Sequence, residues 1–237
     1  MKMIVKFLSV GYILLISICC SSTEGRYNYI DKKIVDSVTG VFQELRYRDS
    51  AGFLVLDGIM KEYSKDSVLQ AEVPYVLGKK NGVVKFYYDN KRISTVKYYN
   101  MGQETEYEIR YNKDGSLEYY LSIDEDENTR FLIQYKKGLN RIDRMEGKFF
   151  YLMHSSPDSS DNINYYIHSA YPPKTTITFE LLRNDTFYQE HKVDRRDIDE
   201  YVKHLAFKFD KKSDIAIIGR LYDSSSNQII KVDTISK

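Results

Sequence analysis

The sequence predicts an all-β protein, an antiparallel meander of 24-residue two-strand repeats followed by a small β-sandwich. Three observations lead there. Tyr63, Tyr87, Tyr111 and Tyr135 recur at a constant step of 24 residues, and Gly58/Gly82, Lys61/Lys85, Tyr75/Tyr99, Gly78/Gly102 and Leu69/Ile93/Leu117 keep the same step. A fixed period decides the architecture before any single segment does. Runs such as Val83–Tyr88 and Ile93–Tyr99 are β-branched and aromatic, and Asp89–Arg92 and Asn100–Gly102 bound them, which is the pattern of short strands and turns. The 237 residues include 22 Tyr, no Trp and only 4 Pro, a composition that suits sheet rather than disorder.

At the N-terminus, Lys2 and Lys6 precede the apolar run Phe7–Ile18. Residues 1–19 therefore read as a secretory signal, too short for a membrane span of roughly 20 apolar residues. An uncleaved anchor is the second reading. Ile16-Ser17-Ile18-Cys19-Cys20-Ser21-Ser22 resembles a loose bacterial lipoprotein box. That resemblance implies lipidation of Cys20, which follows the small residue Cys19, with Cys19 itself as the alternative. These are the only 2 cysteines, so cleavage and acylation would leave no thiol for a disulfide.

Residues 20–52 are expected to be a tether and an N-terminal strand segment. Ser21–Asn28 is polar. In Tyr29–Tyr47, Ile34, Val38, Val41, Phe42 and Leu45 fall at helix-like spacing while Val41–Tyr47 alternates as a strand, and strand is the preferred reading; Ser50-Ala51-Gly52 is a turn. Residues 53–153 hold the repeats. Because the period is even and strand side chains alternate faces, each repeat column is expected to keep its face, with equivalent residues roughly 10 Å apart. The four tyrosines would form a ladder whose first explanation is packing. Where exposed, Tyr63, Tyr87, Tyr111, Tyr135, Tyr75 and Tyr99 would make an aromatic interaction surface. Apolar residues fall on both parities, so part of the second face should be covered by the N-terminal segment or the C-terminal domain. Asp124–Glu127 reads as a solvated acidic turn, since it lacks the spacing and glycine of a calcium loop.

Gly78-Lys79-Lys80-Asn81-Gly82, Lys85-Phe86-Tyr87-Tyr88-Asp89-Asn90 and Tyr98-Tyr99-Asn100-Met101-Gly102 together resemble the bacterial MORN-variant repeat. Asn112-Lys113-Asp114-Gly115 is similar to the turn of a further unit. The chain departs from the pattern at Lys91, where the turn glycine is usual, and at Glu106 and Arg130, which stand in the column of Gly58 and Gly82. The resemblance implies an open meander used for protein or surface contacts, in some members as an antitoxin component, with no shared chemistry.

His154–Asn162 has loop composition and is expected to be a linker. Residues 163–237 then read as six strands: Ile163–Ser169, Thr175–Leu182, Thr186–Val193, Lys203–Phe209, Ile215–Tyr222 and Gln228–Ile235. Their length and spacing suggest an Ig-like sandwich, without its Cys and Trp signature. Asp194–Val202 is expected to form one helical turn.

The charge balance, 35 basic against 34 acidic residues, argues against nucleic acid, whose binding rests on clustered positive charge. None of His154, His168, His191 and His204 lies at metal-ligand spacing from another, and no nucleophile or phosphate-loop motif appears. No cofactor is expected. Asp-Ser/Thr triplets at Asp36, Asp49, Asp66 and Asp233 resemble the O-glycosylation signal of exported Bacteroidota proteins. The expectation is a non-catalytic, lipid-anchored cell-envelope protein contacting a protein or glycan. A toxin-neutralising or immunity-type partner is the alternative, and a cryptic hydrolase with a scattered carboxylate pair is the next.

Overall fold

In a computed structural model of the chain, residues 23–24, 27–124, 128–139, 141–156, 158–193, 202–210 and 212–236 are described, and every regular element among them is a β-strand. Cys19, Cys20 and the signal segment lie outside these residues, as do Glu125–Glu127 and residues 194–201 of the helical turn expected over Asp194–Val202, whose last residue opens a strand instead. The chain divides into two compact units, up to Gln103 and from Glu104. The sequence reading placed the division at 154–162 instead.

The first unit is an antiparallel meander. Its strands are β1 (Thr23–Glu24), β2 (Tyr27–Val35), β3 (Phe42–Ser50), β4 (Phe53–Leu56), β5 (Gly58–Tyr63), β6 (Leu69–Val76), β7 (Lys79–Lys80), β8 (Gly82–Tyr87) and β9 (Ile93–Asn100). They run in the order β1-β2-β3-β5-β6-β8-β9, with β4 beside β3 and β7 beside β6. The expected tether over Ser21–Asn28 is corrected here, because Thr23–Glu24 pairs with Asn28 and Tyr27 and the sheet begins inside it. One face carries Leu45, Met60, Ala71, Val73 and Val84, with Tyr47, Tyr75, Phe86 and Tyr99 packed against them.

The 24-residue repeat is a backbone repeat. Tyr63, Tyr87, Tyr111 and Tyr135 each stand at a β-bulge. In the turns that follow, Ser67, Lys91 and Gly115 take φ of 59°, 64° and 87°. The same hydrogen bonds recur in step: Ser64 N–H to Val68 O, Tyr88 N–H to Arg92 O and Asn112 N–H to Ser116 O, each 2.8 Å. This is a type I turn closed by a left-handed residue, a common hairpin loop. In the opposite turns Leu77-Gly78 and Met101-Gly102 both have positive φ at both residues, the mirror-image turn that matches strand twist. Glu106 occupies the column of Gly58 and Gly82 and keeps their positive φ, at 66°. The fold therefore imposes the left-handed backbone even where the glycine is gone, at a cost of roughly 1 kcal/mol for a residue with a Cβ.

The second unit begins with β10 (Gln103–Tyr111), β11 (Leu117–Ile123), β12 (Thr129–Lys136) and β13 (Arg141–Gly147), paired in that order. Then come β14 (Phe150–His154), β15 (Asn162–Ala170), β16 (Thr175–Arg183), β17 (Thr186–Val193), β18 (Val202–Asp210), β19 (Ile215–Asp223) and β20 (Ile229–Ser236). These seven make two sheets, β14-β15-β18 and β17-β16-β19-β20. The first, second and fifth of these strands form one sheet and the rest the other, whereas the constant-type Ig arrangement places the fourth strand beside the fifth. All six expected sandwich strands are present. The linker expectation is corrected: His154 ends β14 and Asn162 begins β15, and these two strands pair as neighbours from Phe150↔Ser169 to His154↔Tyr165. Its loop composition was read properly, but an apolar strand on its N-terminal side made it part of the sandwich.

The sandwich core interdigitates aromatic rings from both sheets. Phe150 meets Phe179 edge-on at 5.1 Å and Phe149 meets Phe150 at 5.2 Å, while at the rim Phe209 meets the exposed Tyr188 at 5.0 Å. Gly219 makes room for them, since a Cβ there would lie 2.5 Å from Phe150 Cε1. The β10–β13 sheet lies against this body through Phe131 on Phe149, at 6.1 Å, and through the Tyr171 N–H donating to Tyr120 Oη at 3.2 Å. The expectation that the C-terminal domain covers part of the meander therefore holds within this unit.

Candidate interaction face

The face of the first unit opposite its apolar cluster carries an ordered polar array. Reading across the strands, Lys33 of β2 pairs with Glu44 of β3, Glu44 with Lys61 of β5, Lys61 with Glu72 of β6, and Glu72 with Lys85 of β8. Directly paired residues share a face, so five side chains of alternating sign form one row at the strand spacing, about 4.8 Å per step. Lys61 Nζ lies 3.9 Å from Glu72 Oε1. Lys33 and Glu44 are exposed, and the other three are half-buried.

Two ladder tyrosines hold the carboxylates of this row. The Tyr63 hydroxyl donates to Glu44 Oε2 at 3.1 Å, and the Tyr87 hydroxyl donates to Glu72 Oε2 at 2.6 Å. Burial first, and then Glu44, pushes the Tyr63 hydroxyl above its ordinary pKa, so it stays a donor at neutral pH. Hydrogen bonds to an ionised acceptor are the stronger kind, and they fix the acceptor's position. Alongside, Phe42 stacks on Tyr63 at 4.7 Å and 15°, and Lys33 Nζ sits 3.7 Å above the Phe42 ring. At this place Lys33 and the two rings cover one another's faces. Toward the N-terminal edge Arg46 pairs with Asp31 at 3.1 Å and lies over Tyr29, while Arg48 lies over Tyr27.

The six candidate tyrosines do not form one surface. Tyr63 and Tyr87 belong to the charged face. Tyr75 and Tyr99 pack against the apolar cluster on the other, because the face alternates within each repeat and these two residues pair with Gly58 and Gly82 rather than with the lysines. Tyr111 is half-buried in the second unit. Tyr135 is drawn inside that unit, where burial holds its hydroxyl well above the usual phenol range and leaves it without a hydrogen-bond partner.

The row residues were missed by sequence reading, although Lys61 and Lys85 share a repeat column. Glu44 and Lys33 lie before the repeats, and only strand register brings them into line. Among the described residues no three His, Cys, Asp or Glu side chains are placed to hold a metal ion. His168 is buried and stacked on Tyr151 at 4.7 Å, and His154 is exposed at the end of β14. Asp124 is not solvated as expected: it is 8% exposed, accepts the Asn128 N–H at 2.8 Å and binds Arg130 at 2.7 Å. No described helix is long and apolar enough to cross a membrane. No protein-family model, curated protein or solved structure matches the chain.

Proposed function

We propose that this protein is a non-catalytic interaction module of the bacterial cell envelope, held to the membrane through a lipid on Cys20 (or Cys19), and that the charged face of the first unit is where it meets a protein partner. The alternating row from Lys33 to Lys85 is the observation that carries this reading. A row of fixed, alternating charges discriminates between partners by sign and register more than it adds affinity. Tyrosine-held carboxylates are already oriented, so less ordering cost remains for binding. The Lys33–Phe42–Tyr63 stack occupies the Phe42 ring and one face of Tyr63, which leaves less aromatic face for a sugar and favours a protein over a glycan. The repeat's resemblance to MORN-variant proteins fits the same reading and keeps a toxin-neutralising role as its specific form.

The test is in-cell photo-crosslinking from position 59 or 74, the other residues of this face beside the row. Adducts should form with the wild type and disappear in Lys61→Glu/Lys85→Glu. They should survive Tyr75→Phe on the opposite face. Adducts that ignore the charge reversal would refute the assignment. Intact mass of the membrane-extracted protein checks the anchor: a chain beginning at Met1 removes it.

A further inference from the structure

The outer face of the four-stranded sandwich sheet has a second arrangement, independent of the charged row. Phe179 on β16 points inward to Phe150, so its neighbours Thr178 and Glu180 point outward. Register then sorts the outer face into cross-strand rows. One row runs through Glu190 and Glu180, and the next runs through Lys192, Thr178 and Arg220. Flanking the acidic row are Phe187 and Leu182, and flanking the basic row are Tyr222 and Ile229. Phe187 is 59% exposed, Ile229 52% and Val232, at the end of the basic row, 50%.

The order across this face is apolar, acidic, basic, apolar. A two-fold axis lying in the face between the two charged rows exchanges the acidic row of one copy with the basic row of the other, and one apolar flank with the other flank. The pattern is therefore complementary to itself. Within the acidic row Glu190 and Glu180 are direct cross-strand partners of like charge. Arg220 binds Glu180 at 2.7 Å within the chain, with both side chains about a quarter exposed at 27% and 25%.

We infer that the outer face of the β17-β16-β19-β20 sheet is a docking surface for a second copy of this chain, paired face to face about a two-fold axis. Four strands by four rows spans roughly 15 Å by 20 Å, about 300 Å² of footprint per copy and about 600 Å² in total, which is smaller than a standard specific interface and in the range of a weak, transient one. The dimer is accordingly weak and concentration-dependent, and lateral crowding on a membrane would raise its population.

Sedimentation equilibrium of the full-length chain in density-matched detergent, from about 1 μM to about 1 mM, tests it. The wild type should pass from monomer to dimer within that range. Glu180→Lys/Glu190→Lys, with only cations on the face, and Lys192→Glu/Arg220→Glu, with only anions, should each weaken self-association by at least about tenfold. An equimolar mixture of the two should recover it as a heterodimer. Ile229→Lys/Val232→Lys changes two exposed positions and leaves the ion pair intact. It should also weaken association about tenfold with unchanged circular dichroism, and it decides the matter if a charge variant fails to fold. A wild type that stays monomeric at the highest concentration, or a dimer unaffected by the Ile229/Val232 pair, overturns the inference.

Discussion

The two units use one repeat for opposite ends. The column one position before the turn approach reads Lys61 and Lys85 in the first unit, then Ile109 and Ile133 in the second. Its cross-strand partners are Glu72, Val96, Tyr120 and Met145 in turn. In the second unit this face lies under Phe149 and Tyr171, and Ile109, Tyr120 and Ile133 are fully buried. In the first unit, all of whose described strands belong to one sheet, the corresponding face is charged from Lys33 to Lys85 and turns apolar only at buried Val96, and the opposite one carries Met60, Val73 and Val84. All twelve of the largest fully buried side chains belong to the second unit. The same backbone, turn for turn, therefore accepts either polarity on a given face. The side that is apolar is set by what covers it.

The greatest expected contrast is in core truncation. Phe179→Ala removes a ring packed between the two sandwich sheets and should cost about 3–5 kcal/mol, whereas Met60→Ala in the first unit, at 9% exposure, should sit near about 2. Denaturant titration followed by strand-resolved hydrogen exchange reads both. Equal losses would break the comparison.

Alkali should separate the units next. Burial pushes the hydroxyls of Tyr119, Tyr120 and Tyr135 well above the ordinary 10.0, and in Tyr119 the Glu108 carboxylate adds to it. A raised folded pKa contributes stability that is complete below pH 10.0 and is lost as pH rises beyond it toward the folded value. The second unit should therefore ionise these three only as it unfolds, while in the first unit burial raises Tyr63 and Tyr75 without so large a shift. Tyrosinate absorbance monitored beside amide protection between about pH 9 and 12 checks this. Complete ionisation with protection intact would contradict it.

Within the ladder itself, Tyr87→Phe deletes a hydroxyl that donates to the Glu72 carboxylate and should destabilise by about 1–2 kcal/mol. Tyr135→Phe deletes a buried hydroxyl with no partner and should be neutral or stabilising. Thermal melts of the two variants should move in different directions or by clearly different amounts. The smallest effect is at the turn. Lys91→Gly relieves a φ of 64° in the column where Gly115 stands, and should raise stability by up to about 1 kcal/mol. A loss there would mean the Lys91 side chain holds something the backbone argument omits.

Much of this fold was legible in residue order. The step of 24 marked the turns that follow Tyr63, Tyr87 and Tyr111 and the bulges at the four tyrosines, because tight turns demand particular backbone angles and leave Gly, Asn and Asp behind as markers. The six later strands were legible because each alternates and ends in turn residues. The strand β14 was not, since Phe150–His154 is short and continues an apolar run without a break in composition. The candidate site was half legible: Tyr63, Tyr87, Lys61 and Lys85 announce themselves by spacing, but Tyr75 and Tyr99 were wrongly grouped with them.

Sequence alone determined the period, the all-β class and the turn chemistry, because these depend on local sterics and on side chains a few residues apart. Tertiary structure alone decided which face of each repeat is wet. It also brought Lys33 and Glu44 into line with Lys61, Glu72 and Lys85, and sorted the sandwich face into complementary rows. Cross-strand neighbours are set by register between distant segments, and burial depends on what lies over a face, and no local pattern in the chain encodes either.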